Sequence, residues 1–399
     1  MEEFPELQEM IRMYAKRQLQ IVTVSIYSPD EKLAKSVVAR IFANRGKPCG
    51  PMLTKLGGSW ILRCAGAGLN YVYPKGLLYL LTNLFTHHTR RCTTFALLSA
   101  SFIVASHLSA QAPQRPRITG ISHIGIFAHD YEKARAFYGQ FLGFEEPYSL
   151  KNPDGSPSMT FFKINDRQVI ELFPERKAGT DRLSHISLET NDIEALRVYL
   201  ASKGVKVPAK ANLGRVGNLS FNIADPEGHT VEMVQYMPDG KTMLAKGKFM
   251  SDKAISNRMP HVGLIVTKLD AEYKFYTEVL GFKDFYRGSK SGTVLSWINL
   301  RVPDGDDYIE FMLYKDAPDA EHSGSAHHLC LQVPDVPAAV AKLEATPYFK
   351  EYGHPIEIHI GVNRKRQANL FDPDGTRTEI MEPNTIDGKP TPSSTAPPP

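Results

Sequence analysis

Four segments of this 399-residue chain open alike. They read ISHIGIFAHDYEKARAFYGQFLGF from Ile121, LSHISLETNDIEALRVYLASKGV from Leu183, MPHVGLIVTKLDAEYKFYTEVLGF from Met259 and AHHLCLQVPDVPAAVAKLEATPYF from Ala326. Such self-similarity narrows the architecture more than composition does, because each copy is one supersecondary unit that must bury its apolar face against its neighbours. Each copy starts with an alternating stretch holding a His. It then passes a turn with Asp (Asp130, Asp192, Asp270, Asp335) and continues with apolar residues at helical spacing, as at Ala134, Phe137, Tyr138, Phe141 and Leu142. Gly143, Gly204 and Gly281 end three of the four helices. Period two then returns, in the first copy over 144–150, 159–164 and 169–173, with a tight turn at Asn165-Asp166. The predicted unit is strand, helix, three strands, used four times. Copies one and three close on VIELF and YIEFM, copies two and four on IADPEGHTVEMV and LFDPDGTRTEIM. The larger repeat is therefore a pair of units used twice, giving α+β domains at 118–237 and 258–383. Residues 238–257 form a polar linker, and the Pro-, Thr- and Ser-rich stretch 384–399 is expected to be disordered.

Residues 1–88 carry no chemistry-bearing motif. Residues 89–112, TRRCTTFALLSASFIVASHLSAQA, combine a basic start (Arg90, Arg91), an apolar stretch too short to span a bilayer comfortably, and the small-x-small pattern Ala110-Gln111-Ala112 before Pro113. This reads as a secretory signal peptide. Its internal position implies that 1–88 is a gene-model extension and that the mature chain begins near Pro113. The alternative is a real N-terminal segment in which the apolar stretch is an anchor or a buried helix. The first account implies an exported protein, periplasmic or extracellular and without stable membrane association once cleaved; the second leaves it cytoplasmic. A net charge of +4 without a basic, aromatic-laced stripe argues against nucleic acid as a partner. Cys49, Cys64, Cys92 and Cys330 form no CxxC pair, and the repeat region holds only Cys330, so it has no internal disulfide.

On the opening strand of copy one, His123 shares a face with Gly125 and Phe127; on the closing strand, Glu171 shares one with Val169 and Phe173. His185 and Glu232 hold these places in copy two, His261 and Glu310 in copy three, and His328 and Glu379 in copy four. A mid-strand carboxylate flanked by apolar residues is costly to bury unpaired. Four of them, each matched by a His, point to paired clusters that bind a divalent ion: Zn, Ni, Co, Mn or Fe(II). A single His would be read as a core residue bonded to backbone; four in register with four Glu are not. His327 adjoins His328, and register against Ser184-His185 favours His328 as the inward residue. His129, His229, His322, His354 and His359 fall outside the pattern and are expected at the surface.

The SHIGIF opening, the FYGQFLGF and FYTEVLGF helix ends, and the DPEGHTVE and DPDGTRTE closings resemble the vicinal-oxygen-chelate (VOC) superfamily of glyoxalases, bleomycin- and fosfomycin-resistance proteins and extradiol dioxygenases. The resemblance covers about 118–383. It implies two tandem domains, each of two βαβββ modules curled into a mixed-sheet cup around a metal. It places metal ligands at His123, Glu171, His185, Glu232, His261, Glu310, His328 and Glu379. A glyoxalase-type isomerase or lyase is implied, acting on a small substrate chelated through neighbouring oxygens, with Glu171 or Glu232, and Glu310 or Glu379, as proton shuttle. A ring-cleaving dioxygenase is the first alternative. It is weakened by Asn222 and Asn369, which stand where that class usually has Tyr. A resistance-type protein that binds a ligand without turnover is the second. Arg215, Asn222, Arg364 and Asn369 are candidate contacts for an anionic substrate. Either a monomer or a homodimer is compatible with the sequence, and so are one or two working sites.

Overall fold

The computed structural model describes residues 113–399 and three short strands upstream: β1 (Ser25–Ile26), β2 (Met52–Leu56) and β3 (Ser59–Arg63), ordered β1-β3-β2. The signal-like segment 89–112 and the remainder of 1–88 lie outside the described residues.

Alternation in the first two repeat units gives β4 (Ile118–Ala128), β5 (Glu145–Lys151), β6 (Pro157–Lys163), β7 (Val169–Pro174), β8 (Leu183–Thr190), β9 (Asn212–Leu213), β10 (Leu219–Ala224) and β11 (Thr230–Gln235). They form one eight-stranded mixed sheet, β5-β6-β7-β4-β8-β11-β10-β9. The third and fourth units give β12 (His261–Val266), β13 (Lys283–Gly288), β14 (Trp297–Arg301), β15 (Tyr308–Leu313), β16 (His328–Gln332), β17 (Ile358–Ile360), β18 (Lys365–Phe371) and β19 (Arg377–Thr385), in the same order. At the centre of each sheet the two opening strands pair antiparallel, and each is flanked by the closing strand of its own unit in parallel. Consecutive units therefore share a sheet and do not exchange between halves. Ala134, Phe137, Tyr138, Phe141 and Leu142 are all buried, as their spacing predicts. The element carrying them is α-helical only over Tyr131–Ala136; over Phe137–Phe141 it widens into a π-turn, as Leu269–Lys274 does over Phe275–Val279.

Asp130, Asp192 and Asp335 cap their helices, each side chain accepting a backbone N–H three residues on. Asp270 does not; it sits inside the first turn. The orphan N–H groups there are met by the first domain: Glu227 accepts from Thr267 and Lys268 at 2.6 and 2.7 Å. The second domain reciprocates, with Asp374 accepting the backbone N–H of His129 at 2.7 Å. Beside these caps Tyr138 donates to Asp372 (3.1 Å) and Tyr276 to Asp225 (3.5 Å). The DPEG and DPDG closings thus dock on the helix starts of the opposite domain.

Residues 384–399, expected to be disordered, are tied down. Ile386 N–H donates to Arg364 carbonyl, Ser394 N–H to Arg287 carbonyl and Leu295 N–H to Pro397 carbonyl, and Ala396 packs on the apolar core. Arg364 adjoins β18 and Arg287 lies in β13, so the segment straps the two sides of the second sheet. A Pro-rich stretch suits this role because its extended backbone needs few internal partners. The linker does the same for the first sheet: Lys241 N–H donates to Val216 carbonyl, and Lys163 Nζ donates to the carbonyls of Ala245 and Lys248.

Candidate metal centres

Register carries the first cluster. On β4, His123 stands opposite Ser187 of β8, and Gly125 stands between His185 on one side and Glu171 on the other. A Cβ at Gly125 would meet the His185 ring at 2.5 Å. The glycine is therefore what lets the second imidazole reach across. Gly263 serves His328 in the same way in the second domain.

The imidazole Nε2 atoms of His123 and His185 face each other at 2.9 Å. Glu232 lies 2.9 Å from His123, and Glu171 lies 3.5 and 3.6 Å from the two rings. Donors held about 2.1 Å from one ion at tetrahedral or octahedral angles lie roughly 3.0–3.4 Å apart, so this set suits a common ion. Ser122 Oγ and Ser184 Oγ lie 3.2 and 3.1 Å from the Nδ1 atoms and fix the rings from behind. Ser187 donates to Glu232 at 2.9 Å. The two carboxyls are driven apart. Burial, with Glu232 nearby, pushes Glu171 up to about 7. Burial also opposes Glu232's charge, but the His123 hydrogen bond wins and holds it down to about 2. Burial opposes a charge on His123 as well, yet Glu171 and Glu232 outweigh it and raise that ring, whereas burial and His123 push His185 down to about 4. The cluster lies at a cavity of about 150 Å³, lined also by Tyr148, Arg215 and Tyr236.

The second cluster repeats the ligand set with different backing. His261 Nε2 lies 3.2 Å from His328 Nε2 and 3.1 Å from Glu379, and His328 lies 3.4 Å from Glu310. His328, not His327, is the inward residue. Cys330, buried and unpaired, replaces Ser187 opposite the first His. Arg377 brings a guanidinium nitrogen 2.7 Å from His328 Nδ1, an atom also 2.8 Å from the Ala326 carbonyl. Burial and Arg377 together lower His328. His261 stacks on Tyr308 at 4.5 Å, and its Nδ1 is buried without a hydrogen-bond partner.

Of the candidate substrate contacts, Arg215 lines the first cavity and is braced by Ser158 Oγ and the Lys151 carbonyl. Asn222 is exposed and outside the residues lining that cavity. Arg364 is paired with Asp387 of the terminal strap. Asn369 stands opposite Glu379, its Oδ1 buried without a partner. Sequence reasoning missed Tyr148 and Tyr236, both on the wall of the first cavity. It also missed Arg377, which shares the Glu379 face of β19, pairs with His328 in register and reaches that ring from its flank. His229, expected at the surface, is half-buried against Asp225, and His327 is buried.

A model of the Glyoxalase/Bleomycin resistance protein/Dioxygenase superfamily matches residues 120–233 and 258–380. A lactoylglutathione lyase of Schizosaccharomyces pombe is 26% identical over 308 residues, covering 66% of this chain and 96% of that protein. One from Pseudomonas putida is 28% identical over 154 residues, covering 32% and 85%. Among solved structures, the Mn(II)-bound glyoxalase from Novosphingobium aromaticivorans superposes with a TM-score of 0.52 at 19% identity, over 71% of this chain and 89% of that one. The 2,3-dioxygenase LapB from Pseudomonas sp. KL28 does so with a TM-score of 0.50 at 20% identity, over 69% and 97%. At these identities the superpositions speak for the fold alone. The two matched stretches fall on the two cups, and the chain belongs to the glyoxalase/bleomycin resistance/dioxygenase superfamily.

Proposed function

We propose that the chain is a metal-dependent enzyme whose first cup holds a small molecule through two neighbouring oxygens and shifts a proton within it, an isomerase- or lyase-type reaction. The observation that carries this reading is the convergence of His123, His185, Glu171 and Glu232, of which His123, Glu171 and Glu232 line a cavity with Arg215 on its wall. The donor set of two imidazoles and two carboxylates suits Zn, Ni, Co, Mn or Fe(II). Such an ion supplies Lewis acidity to an oxyanion. His123 and His185 would hold it, together with Glu232, whose charge is already stabilised. Glu171 then accepts and returns the proton, a role for which a carboxyl near neutrality is suited. Arg215 receives an anionic substituent, and Leu150, Met159 and Val234 limit access of water. The lactoylglutathione lyase that matches 66% of this chain supports this class. In the second cup Glu310 and Glu379 stand in the same places, with Arg377 opposing cation binding.

The test is metal content and turnover of the full chain, reconstituted separately with each of the five ions. Turnover is followed by NMR in D2O on hemithioacetals of methylglyoxal with small thiols. Metal-dependent isomerisation that is lost in His185→Ala supports the reading. Oxygen uptake with a catechol would replace it by ring cleavage, and failure to retain any ion would leave a ligand-binding protein.

A further inference from the structure

Away from both cups, where the closing loop of the first domain meets the helix Leu269–Lys274 of the second, the ligand atoms of Asp225, His229 and Glu272 lie within 4.8 Å of one another. We propose that these three side chains form a third divalent-cation site, one that clamps the two domains together.

The loop is built to present Asp225. One carboxylate oxygen accepts the backbone N–H groups of Glu227, Gly228 and His229 at 3.1, 2.9 and 2.8 Å, which fixes the side chain. The other oxygen lies 2.8 Å from His229 Nδ1 and 3.5 Å from the Tyr276 hydroxyl. Glu272 arrives from the second domain. Its residue is 0% exposed, one oxygen accepts the Glu227 N–H at 2.6 Å, and the other is buried without a hydrogen-bond partner. An ionised carboxylate oxygen in that state is costly, and a cation relieves the cost.

The equivalent seam on the other side of the molecule provides an internal control. There Tyr138 meets Asp372 as Tyr276 meets Asp225. The positions matching Glu272 and His229 are Ala134 and Thr376, both buried. An Asp and a Tyr therefore suffice to dock the domains. The additional His and Glu serve something else, and one imidazole with two carboxylates is a donor set for Zn, Mn or Co. His229 keeps part of its ring open to solvent, which gives an ion a route in.

The test uses the full chain equilibrated with Zn(II), with bound zinc per chain measured by mass spectrometry. His229→Ala and Glu272→Gln should each lose one ion relative to wild type. His185→Ala should lose a different one, and His185→Ala/His229→Ala should lose both. A zinc-edge anomalous map of wild-type crystals should show a peak within coordination distance of Asp225, His229 and Glu272. Unchanged stoichiometry in both single variants, or no anomalous peak between the three side chains, would overturn the proposal. The map involves no substitution and so decides the matter even if a variant folds poorly. Neither readout depends on turnover in the first cup.

Discussion

The two cups hold the same four candidate ligands in the same register, yet the groups behind them differ. In the first, Ser122, Ser184 and Ser187 set hydroxyls against the ring nitrogens and Glu232, and a cavity leads in. In the second, a thiol replaces Ser187 and Arg377 presses on His328, while Tyr308 covers the face of His261. A guanidinium cannot lose its proton in a protein, so its charge beside the ligand set is permanent. Ligand identity alone therefore does not measure the worth of a metal site. The charge one residue further out decides whether bringing an ion in is favourable.

Three substitutions test that contrast. The largest effect is expected from His185→Ala, which should lower turnover by about 10²–10³-fold, with His328→Ala leaving it unchanged. Equal losses in steady-state assays would show two cups of equal standing. Next, Arg377→Thr places in the second cup the residue found at the matching Thr230 of the first. Titration calorimetry with Zn(II) in the His185→Ala/His229→Ala background should show tighter binding by roughly 10–100-fold. No change would mean that Arg377 turns away when an ion enters.

The seams between the domains supply a third test. Burial pushes Asp372 up to about 6, against an ordinary value of roughly 3.9. The folded chain thus binds this proton more tightly than the unfolded one. Stability should fall as pH rises from roughly 4 to 6 and then level off. Asp372→Asn keeps an acceptor for the backbone N–H groups and removes the charge. Each tenfold difference in proton affinity between the folded and unfolded chain is worth about 1.4 kcal/mol, so the variant should gain up to about 3 kcal/mol at pH 8 and nothing at pH 4 in denaturant melts. A gain independent of pH would point to packing instead. The smallest effect is expected from ending the chain after Thr385. The melting temperature of the second domain should drop by a few degrees while activity in the first cup persists; a loss of activity would mean that the strap matters beyond its own sheet.

Much of this was legible in the sequence because strand alternation and parallel closing strands convert position into direction. His123 and Glu171 point to one place once β4 and β7 are known to be neighbours, and the repeat supplies that knowledge four times. Gly125 and Gly263 were visible as the second residue after His123 and His261, although the reason, an imidazole lying across each, needs the paired strand. Arg377 shares the face of Glu379 and was passed over because the repeat has no cation at that place in the other units. His229 was not legible: it sits at the turn before β11, where no periodicity holds, and the Glu272 beside it comes from a distant stretch of chain. The terminal strap was misread because composition reports what a segment cannot do alone, not whether a surface awaits it.

The reciprocal capping of helix starts has a consequence for ancestry. Glu227 reaching to Thr267 and Lys268, and Asp374 reaching to His129, are one contact made twice under an approximate two-fold axis. That is the self-complementary geometry of an isologous dimer. A free half-chain would present the same loop to a second copy of itself. Within one chain the two faces need not stay identical, and one seam carries a histidine and a glutamate that the other lacks.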